Sequence, residues 1–250
     1  MSRFSLVIPA YNEEKYLPRT IGAIRKAEAM LGEPVEIIVS DNISTDSTTA
    51  VARELGAKVV QTDIRCIGAV RNCGAREAQG EYIVFVDADD VMSENMLIEI
   101  RSVMDSGRYI GGGVANTHYD RDSWGIYTTH GLLRTRLWFA GISLFLCFTH
   151  KKTFDALGGY NEHMKVGEDF DIAARLRQLG QSQGKPFMNL RTALLTKSAR
   201  KFNEYGDWAT FAHPILTLKA MMNKPEVIHE IWYKPRRESP DAKQFDTHEK

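Results

Sequence analysis

Acidic residues gather in this sequence where a fold would find them costly. Tyr82–Val91 reads YIVFVDADDV, an apolar run that ends in Asp87, Ala88, Asp89 and Asp90. Clustered carboxylates at the end of a buried strand repel one another and resist desolvation unless a cation or a donor meets them. Asp87 and Asp89 are two residues apart, so their side chains share a face of an extended chain. Paired carboxylates without His or Cys nearby suit a hard divalent ion such as Mg²⁺ or Mn²⁺, which keeps positions open for substrate phosphates. Capping the next helix needs one carboxylate and not three, and Asp90 is the one read as supporting the turn.

A second acidic pair lies in Gly158–Asp171, GGYNEHMKVGEDFD. The double glycine allows close backbone approach or positive φ. Glu168 and Asp169 open a helix, where the dipole favours and orients negative charge. A carboxylate held there beside a cleft is a candidate general base, with N-terminal capping as the plainer alternative. Asp41, in DNISTD, either accepts a hydrogen bond from a nucleobase or ties the turn to Ser44, and Asp46 reads as an early-turn helix carboxylate. Arg71, in GAVRNCG, stands where a helix rim aims it at the acids, to pair with a carboxylate or meet a phosphate. Thr196–Arg200 (TKSAR) with Lys201 forms a small basic loop, either solvated or turned toward an anionic leaving group.

The elements that must position these residues alternate strand and helix periods. Strands are expected at Phe4–Ile8, Val35–Val39, Ala57–Gln61 and Tyr82–Val86, with helices at Glu13–Leu31, Ser44–Leu55, Gly68–Ala78 and Glu94–Met104. That rhythm predicts a mostly parallel sheet with helices on both faces, which binds ligands beyond the carboxyl ends of its strands. PAYNEE, DNISTD and DADD all fall at such ends. The second half is less regular. Tyr109–Thr117 reads as a strand with a glycine bend, Ser143–Thr149 as a strand, and Lys151–Leu157, Glu168–Leu179 and Pro214–Met222 as helices. No repeat or flexible linker interrupts the chain. One domain over residues 1–238 is expected, with halves at 1–107 and 108–238, followed by a polar tail at 239–250.

With 32 basic and 32 acidic residues, no net field argues for nucleic acid. The three cysteines Cys66, Cys73 and Cys147 fit no usual metal spacing and read as reduced thiols. No charged leader precedes the first strand, and a cytoplasmic location is expected. The longest apolar run, Leu137–Phe148, has 12 residues against the roughly 20 needed to span a bilayer, and reads as buried core. Trp232–Arg237 (WYKPRR) would suit peripheral contact with the inner face of an anionic membrane.

VIPAYNEE, SDNISTD, GAVRNCGAREAQGEYIVFVDADD and GGYNEHMKVGEDFD together resemble, in order and spacing, the segments of inverting glycosyltransferase family 2, with its GT-A fold. The resemblance covers roughly residues 4–202. It implies hexosyltransferase-like (EC 2.4) transfer from a nucleotide sugar to an acceptor hydroxyl with inversion, dependent on Mn²⁺ or Mg²⁺. Uridine diphosphate sugars are the first expectation for the donor, with guanosine diphosphate sugars as the alternative. Glycan, lipid-linked and small-molecule acceptors all stay open. Pro9, Tyr11 and Glu13 would line the nucleoside pocket and Asp41 would contact the base. Asp87-Ala88-Asp89 matches the metal-binding DXD, in which Asp89 ligates the ion and Asp87 reaches the ribose or the ion's water. Glu168-Asp169 matches the ED pair, with Asp169 as catalytic base. Arg71 and Arg200 would face the donor. One departure stands out, since the second-strand motif usually reads DDGSTD and here carries Asn42 and Ile43 in place of the second acid and the glycine.

Two rival classes remain on the sequence. An aspartate-nucleophile phosphohydrolase also sets a DXD at a strand end, but on its first strand rather than its fourth. A non-catalytic nucleotide-sugar-binding module would not need Asp89 and Asp169 intact.

Overall fold

The computed structural model describes residues 2–164, 167–200, 202 and 207. The segments Pro214–Met222, Trp232–Arg237 and the tail 239–250 lie outside them, as does Lys201. Strand β1 (Phe4–Ala10) is buried at all seven positions, as a strand covered on both faces must be. Its alternate side chains feed two cores. Phe4, Leu6 and Ile8 pack among α1 (Leu17–Leu31), β2 (Val35–Asp41) and, further along, α4 (Met96–Asp105). Val7 packs on the other face with Ile83, Phe85, Tyr160 and Ile172.

Between them run α2 (Thr48–Glu54), β3 (Lys58–Gln61), α3 (Ile67–Arg76), β4 (Tyr82–Phe85) and the two-residue β5 (Val91–Met92). The later elements are β6 (Gly111–Val114), β7 (Thr117–Tyr119), α5 (Trp124–Ala140), β8 (Phe145–His150), α6 (Lys151–Ala156), α7 (Glu168–Ser182), β9 (Phe187–Leu190) and β10 (Leu195–Lys197). The main sheet has the order β3-β2-β1-β4-β8-β6-β9. All of its neighbours are parallel except β8, which runs against both β4 and β6. Strands from both halves of the chain therefore share one sheet. The chain winds outward from β1 to β3, then returns to β1's other side as β4. The crevice between the carboxyl ends of β1 and β4 is thus the switch point at which such sheets bind ligands. A small sheet, β5-β10-β7, stands beside that rim.

Several expected boundaries move, each for a local reason. The first helix starts at Leu17 rather than Glu13, with Pro18 in its first turn, where a missing N–H costs nothing. Residues 11–16 are left as a loop at the rim. The second helix starts at Thr48 rather than Ser44, because Ser44 and Thr45 bond to Asp41 and Asn12 instead of opening a helical turn. Tyr109–Thr117 is two strands in two sheets. Its glycines are required by crowding, since a Cβ on Gly112 would strike the Met188 carbonyl and the Phe148 ring. Leu137–Phe148 is not one buried segment. It spans the end of α5, a turn at Gly141 (φ +66°) and most of β8, and Phe139 is 77% exposed. Among the described residues no helix is long and apolar enough to cross a membrane. Cys66, Cys73 and Cys147 are all free thiols.

Candidate active site

The acid turn after β4 is met by three cations from three different elements. Arg71 of α3 donates through Nη2 to Asp87 Oδ1 at 2.8 Å. Its Nη1 lies 2.9 Å from Glu168 Oε1 and 3.0 Å from Asp169 Oδ1. Lys197, the last residue of β10, donates to Asp87 Oδ2 at 3.0 Å and to Asp90 Oδ2 at 2.9 Å. Arg200 Nε lies 2.8 Å from Asp89 Oδ2, and both Nη atoms clamp Glu13 at 2.6 and 2.8 Å. Two acidic motifs some 80 residues apart in sequence are thereby joined through one guanidinium.

The frame around Arg71 explains the double glycine. Gly158 and Gly159 both have positive φ, 75° and 72°, and a Cβ on Gly159 would lie 2.6 Å from Asn72 Oδ1. Asn72, next to Arg71 on α3, accepts from the Tyr160 N–H and donates to the Tyr160 carbonyl, both at 2.9 Å. This fixes the Tyr160 ring under Arg71, whose Cζ sits 5.1 Å from the ring centroid. Gly167, in the left-handed region at φ 85°, then turns the chain into α7. Glu168 and Asp169 stand in its first turn, where the dipole favours them.

Burial and charge set three acids of the centre apart. Asp87 is desolvated, which raises a carboxyl, but Lys197 and Arg71 together outweigh this and hold it well below the usual range. Asp90 shares the same ammonium without a second cation. Burial, relieved by Lys197 but reinforced by Asp87 and Asp89, pushes it up to about 8. Asp169 is pushed up to about 7, first by burial, with Arg71 opposing and Glu168 adding to the rise. Arg71 and Lys197 are held above their ordinary values by the surrounding carboxylates in spite of burial. The centre therefore contains one carboxylate fixed in its charged form and two poised near neutrality, of which Asp169 keeps an exposed edge, the pairing that acid–base chemistry requires.

The nucleoside side of the rim is built differently. Pro9 is buried in β1, opposite Ser40 of β2. Tyr11 is half-buried on the loop after it. Glu13, expected to line the nucleoside pocket, is 4% exposed and turned to Arg200. Asp41 is fully buried and accepts from the Ser44 N–H and hydroxyl, from Thr49 Oγ1 at 3.1 Å and from Gln61 Nε2 at 3.0 Å. Of the two roles open to it, the structure displays the turn-tying one. Ala88 is buried and its carbonyl accepts from Thr20 Oγ1 at 2.8 Å. Asn42 donates to the Thr62 and Ile64 carbonyls, and Ile43 adopts φ +53° where the motif usually has glycine.

Asp90 does more than support a turn. It is 1% exposed and anchors Lys197. Lys197 lies in the basic loop Thr196–Arg200, but nothing in the sequence pairs it with the acids. In the structure Leu195 and Lys197 share the inward face of β10, and Leu195 is fully buried. Asn72 and Tyr160 carry no motif signal beyond the glycines they require.

Asp87 and Asp89 offer hard oxygens with 35% and 14% of their side chains exposed. Among the described residues no three His, Cys, Asp or Glu side chains form a complete metal cage. The pair fits an ion that takes one or two protein carboxylates and completes its shell with substrate phosphates and water.

The sequence profile of Glycosyl transferase family 2 matches residues 5–164. The chain belongs to glycosyl transferase family 2. That match contains the acid turn and Arg71 but stops short of Glu168 and Asp169, whose membership of the site stands on geometry. Poly(ribitol-phosphate) beta-N-acetylglucosaminyltransferase TarS of Staphylococcus aureus (strain Mu50 / ATCC 700699) is 32% identical over 111 residues, 42% of this chain and 19% of TarS. The poly(ribitol-phosphate) beta-glucosyltransferase of Bacillus spizizenii is 33% identical over 103 residues, 38% of this chain and 16% of that protein. The chain thus matches less than a fifth of the length of either relative. Among solved structures, S. aureus TarS 1–349 in complex with UDP superposes with a TM-score of 0.58 at 21% identity, covering 82% of this chain and 63% of that one. Mannosyltransferase PcManGT from Pyrobaculum calidifontis, in complex with GDP-Man and Mn²⁺, gives 0.64 at 18% identity, covering 92% and 67%. At such identities the likeness is one of fold, and the fold is GT-A.

Proposed function

We propose that this family 2 chain transfers a sugar from a nucleoside diphosphate sugar to an acceptor hydroxyl, with inversion and with a divalent cation ligated by Asp89 and reached by Asp87 through the ion's water. The observation that carries this reading is the Arg71 bridge, which holds the DXD acids and the Glu168–Asp169 pair in one centre. Charge balance favours the cation. Six carboxyl groups (Glu13, Asp87, Asp89, Asp90, Glu168 and Asp169) meet three basic side chains, so a diphosphate enters a site already short of positive charge. Bound there, Mn²⁺ or Mg²⁺ would neutralise the departing nucleoside diphosphate.

The chain's own residues supply the remaining steps. Arg71 and Lys197 hold Asp87 ionised and fixed in orientation. Asp169, raised toward 7, takes the proton from the acceptor hydroxyl at its exposed edge, where 31% of its side chain meets solvent. The deprotonated oxygen attacks the anomeric carbon opposite the leaving group, so one displacement inverts the centre and needs no covalent nucleophile. Glu168, 9% exposed and paired to Arg71, keeps that guanidinium in place. Asp87 is poorly suited to be a phosphohydrolase nucleophile, because both of its oxygens accept from protein cations. Residues 1–107 supply the donor side and 108–238 the acceptor side. Relatives named for acting on poly(ribitol-phosphate), and a fold neighbour holding GDP-Man, support uridine and guanosine diphosphate sugars as the donors to try first.

A thermal-shift panel of UDP- and GDP-sugars, with and without Mn²⁺, tests the binding half of this reading. Stabilisation by at least one nucleotide sugar, larger with the ion, is the expected result. No shift with any of them would overturn it.

A further inference from the structure

Arg200 commits all three guanidinium nitrogens inside the site. Nη1 and Nη2 clamp Glu13, Nε holds Asp89 Oδ2 at 2.8 Å, and the planar group lies 4.8 Å from the centroid of the Tyr16 ring. Glu13 is nearly buried on the loop after β1, and its N–H is fixed by Thr48 Oγ1 at 2.7 Å. The Glu13 end of the clamp is therefore rigid and fork-to-fork. The Asp89 end is a single Nε contact, to a carboxylate that the donor reading gives to the divalent ion. A Mg²⁺-like ion sits about 2.1 Å from its carboxylate oxygen. A guanidinium on the same carboxylate would stand about 5 Å from an ion on either of its oxygens, so like charge sets the two in competition for Asp89.

With that donor reading as premise, we infer that Arg200 is a resident counter-ion, holding Asp89 until donor arrives and then exchanging Asp89 for the donor diphosphate while Glu13 keeps hold of it. An ion arriving alone must displace a guanidinium that has no second anion to take up. An ion arriving with a diphosphate brings that anion with it, so ion and nucleotide bind as partners. The exchange needs the planar group to pivot as a unit, keeping one Nη on Glu13 while Nε leaves Asp89. Arg200 acts here as a positioning residue for Asp89.

The test is Mn²⁺ affinity of the full chain, read from the electron paramagnetic resonance of free Mn²⁺, with and without UDP or GDP. Arg200→Met should bind Mn²⁺ alone about tenfold more tightly than the wild type, the change expected when a competing partly buried cation leaves. That advantage should vanish when nucleotide is present, because the variant also loses the arginine–diphosphate contact. Arg200→Gln, which keeps hydrogen-bonding capacity toward Glu13 without the charge, is read the same way if Arg200→Met does not fold. Equal Mn²⁺ affinity of wild type and variant without nucleotide, while nucleotide still binds, overturns the counter-ion role and leaves the donor reading standing. Failure of every nucleotide to bind, with or without Mn²⁺, overturns both.

Discussion

Replacing Arg71 with Met removes the one group common to both acidic motifs. Its guanidinium is 4% exposed and meets Asp87, Glu168 and Asp169 at 2.8–3.0 Å. Breaking a buried ion pair from one side costs about 3–5 kcal/mol, because the stranded carboxylates keep their desolvation penalty. Asp87 and Asp169 retain 35% and 31% of their side-chain exposure, so water screens part of their charge, and Glu168 at 9% bears the full loss. The lower end, about 3 kcal/mol, is the expected loss at neutral pH, against a total stability of about 5–15 kcal/mol for a domain. The deficit should depend on pH with a definite sign. In the wild type Asp87 is depressed below its unfolded value, so its stabilising contribution is present above about pH 4 and fades as pH falls through that value. Asp169 and Asp90 are raised, so the folded chain gains relative stability as pH falls from about 8 toward 4 and they protonate. Without Arg71, Asp169 moves further up and Asp87 loses part of its depression. The gap between variant and wild type should therefore shrink on going from pH 7 to pH 5. Urea unfolding at both pH values reads this directly, and Arg71→Lys is the milder companion because one ammonium cannot span three carboxylates. A variant within 0.5 kcal/mol of wild type at about pH 7, or a gap that widens on acidification, would refute the electrostatic account.

Asp169→Asn should lower turnover by about 10²–10⁴-fold while nucleotide-sugar binding stays near the wild-type level. Because Asp169 must be ionised to act and is raised to about 7, wild-type kcat/KM should climb through about pH 7 and then level off, and a flat profile from about pH 5.5 to 8 would contradict its role as base. Ile43 is a β-branched residue at φ +53° and is 53% exposed, so Ile43→Gly should raise stability by about 0.5–1 kcal/mol in urea unfolding. A comparable loss would instead mean that the isoleucine side chain is held by packing.

The first half of this fold was legible because β1, β2 and β4 are buried on both faces and the helices show plain periodicity, so β1–β4 and the helices between them stand out as alternating runs. The acids were legible for a related reason, since carboxylates at the end of an apolar strand need a partner. What escaped was short or weakly patterned. β5, β9 and β10 have two to four residues each, too few for a period to declare itself. α5 carries two glycines and three threonines among poor helix formers, and its exposed Trp124, Tyr127 and Phe139 blur any apolar stripe. Helix starts slipped where side chains outcompeted the first turn, as Ser44 did with Asp41. Lys197 was hidden because its role is set by tertiary pairing. β10 joins β7 and β5, and only that placement brings its ammonium between Asp87 and Asp90.

Donor hydrolysis followed by proton NMR tests the central claim most directly, because water can stand in for the unidentified acceptor. Incubated with Mn²⁺ and a stabilising α-linked nucleotide sugar, the chain should release nucleoside diphosphate slowly and give the β-anomer of the free sugar first. Asp169→Asn should abolish that release. First appearance of the α-anomer, or release that is indifferent to Asp169, would contradict inverting transfer from this centre.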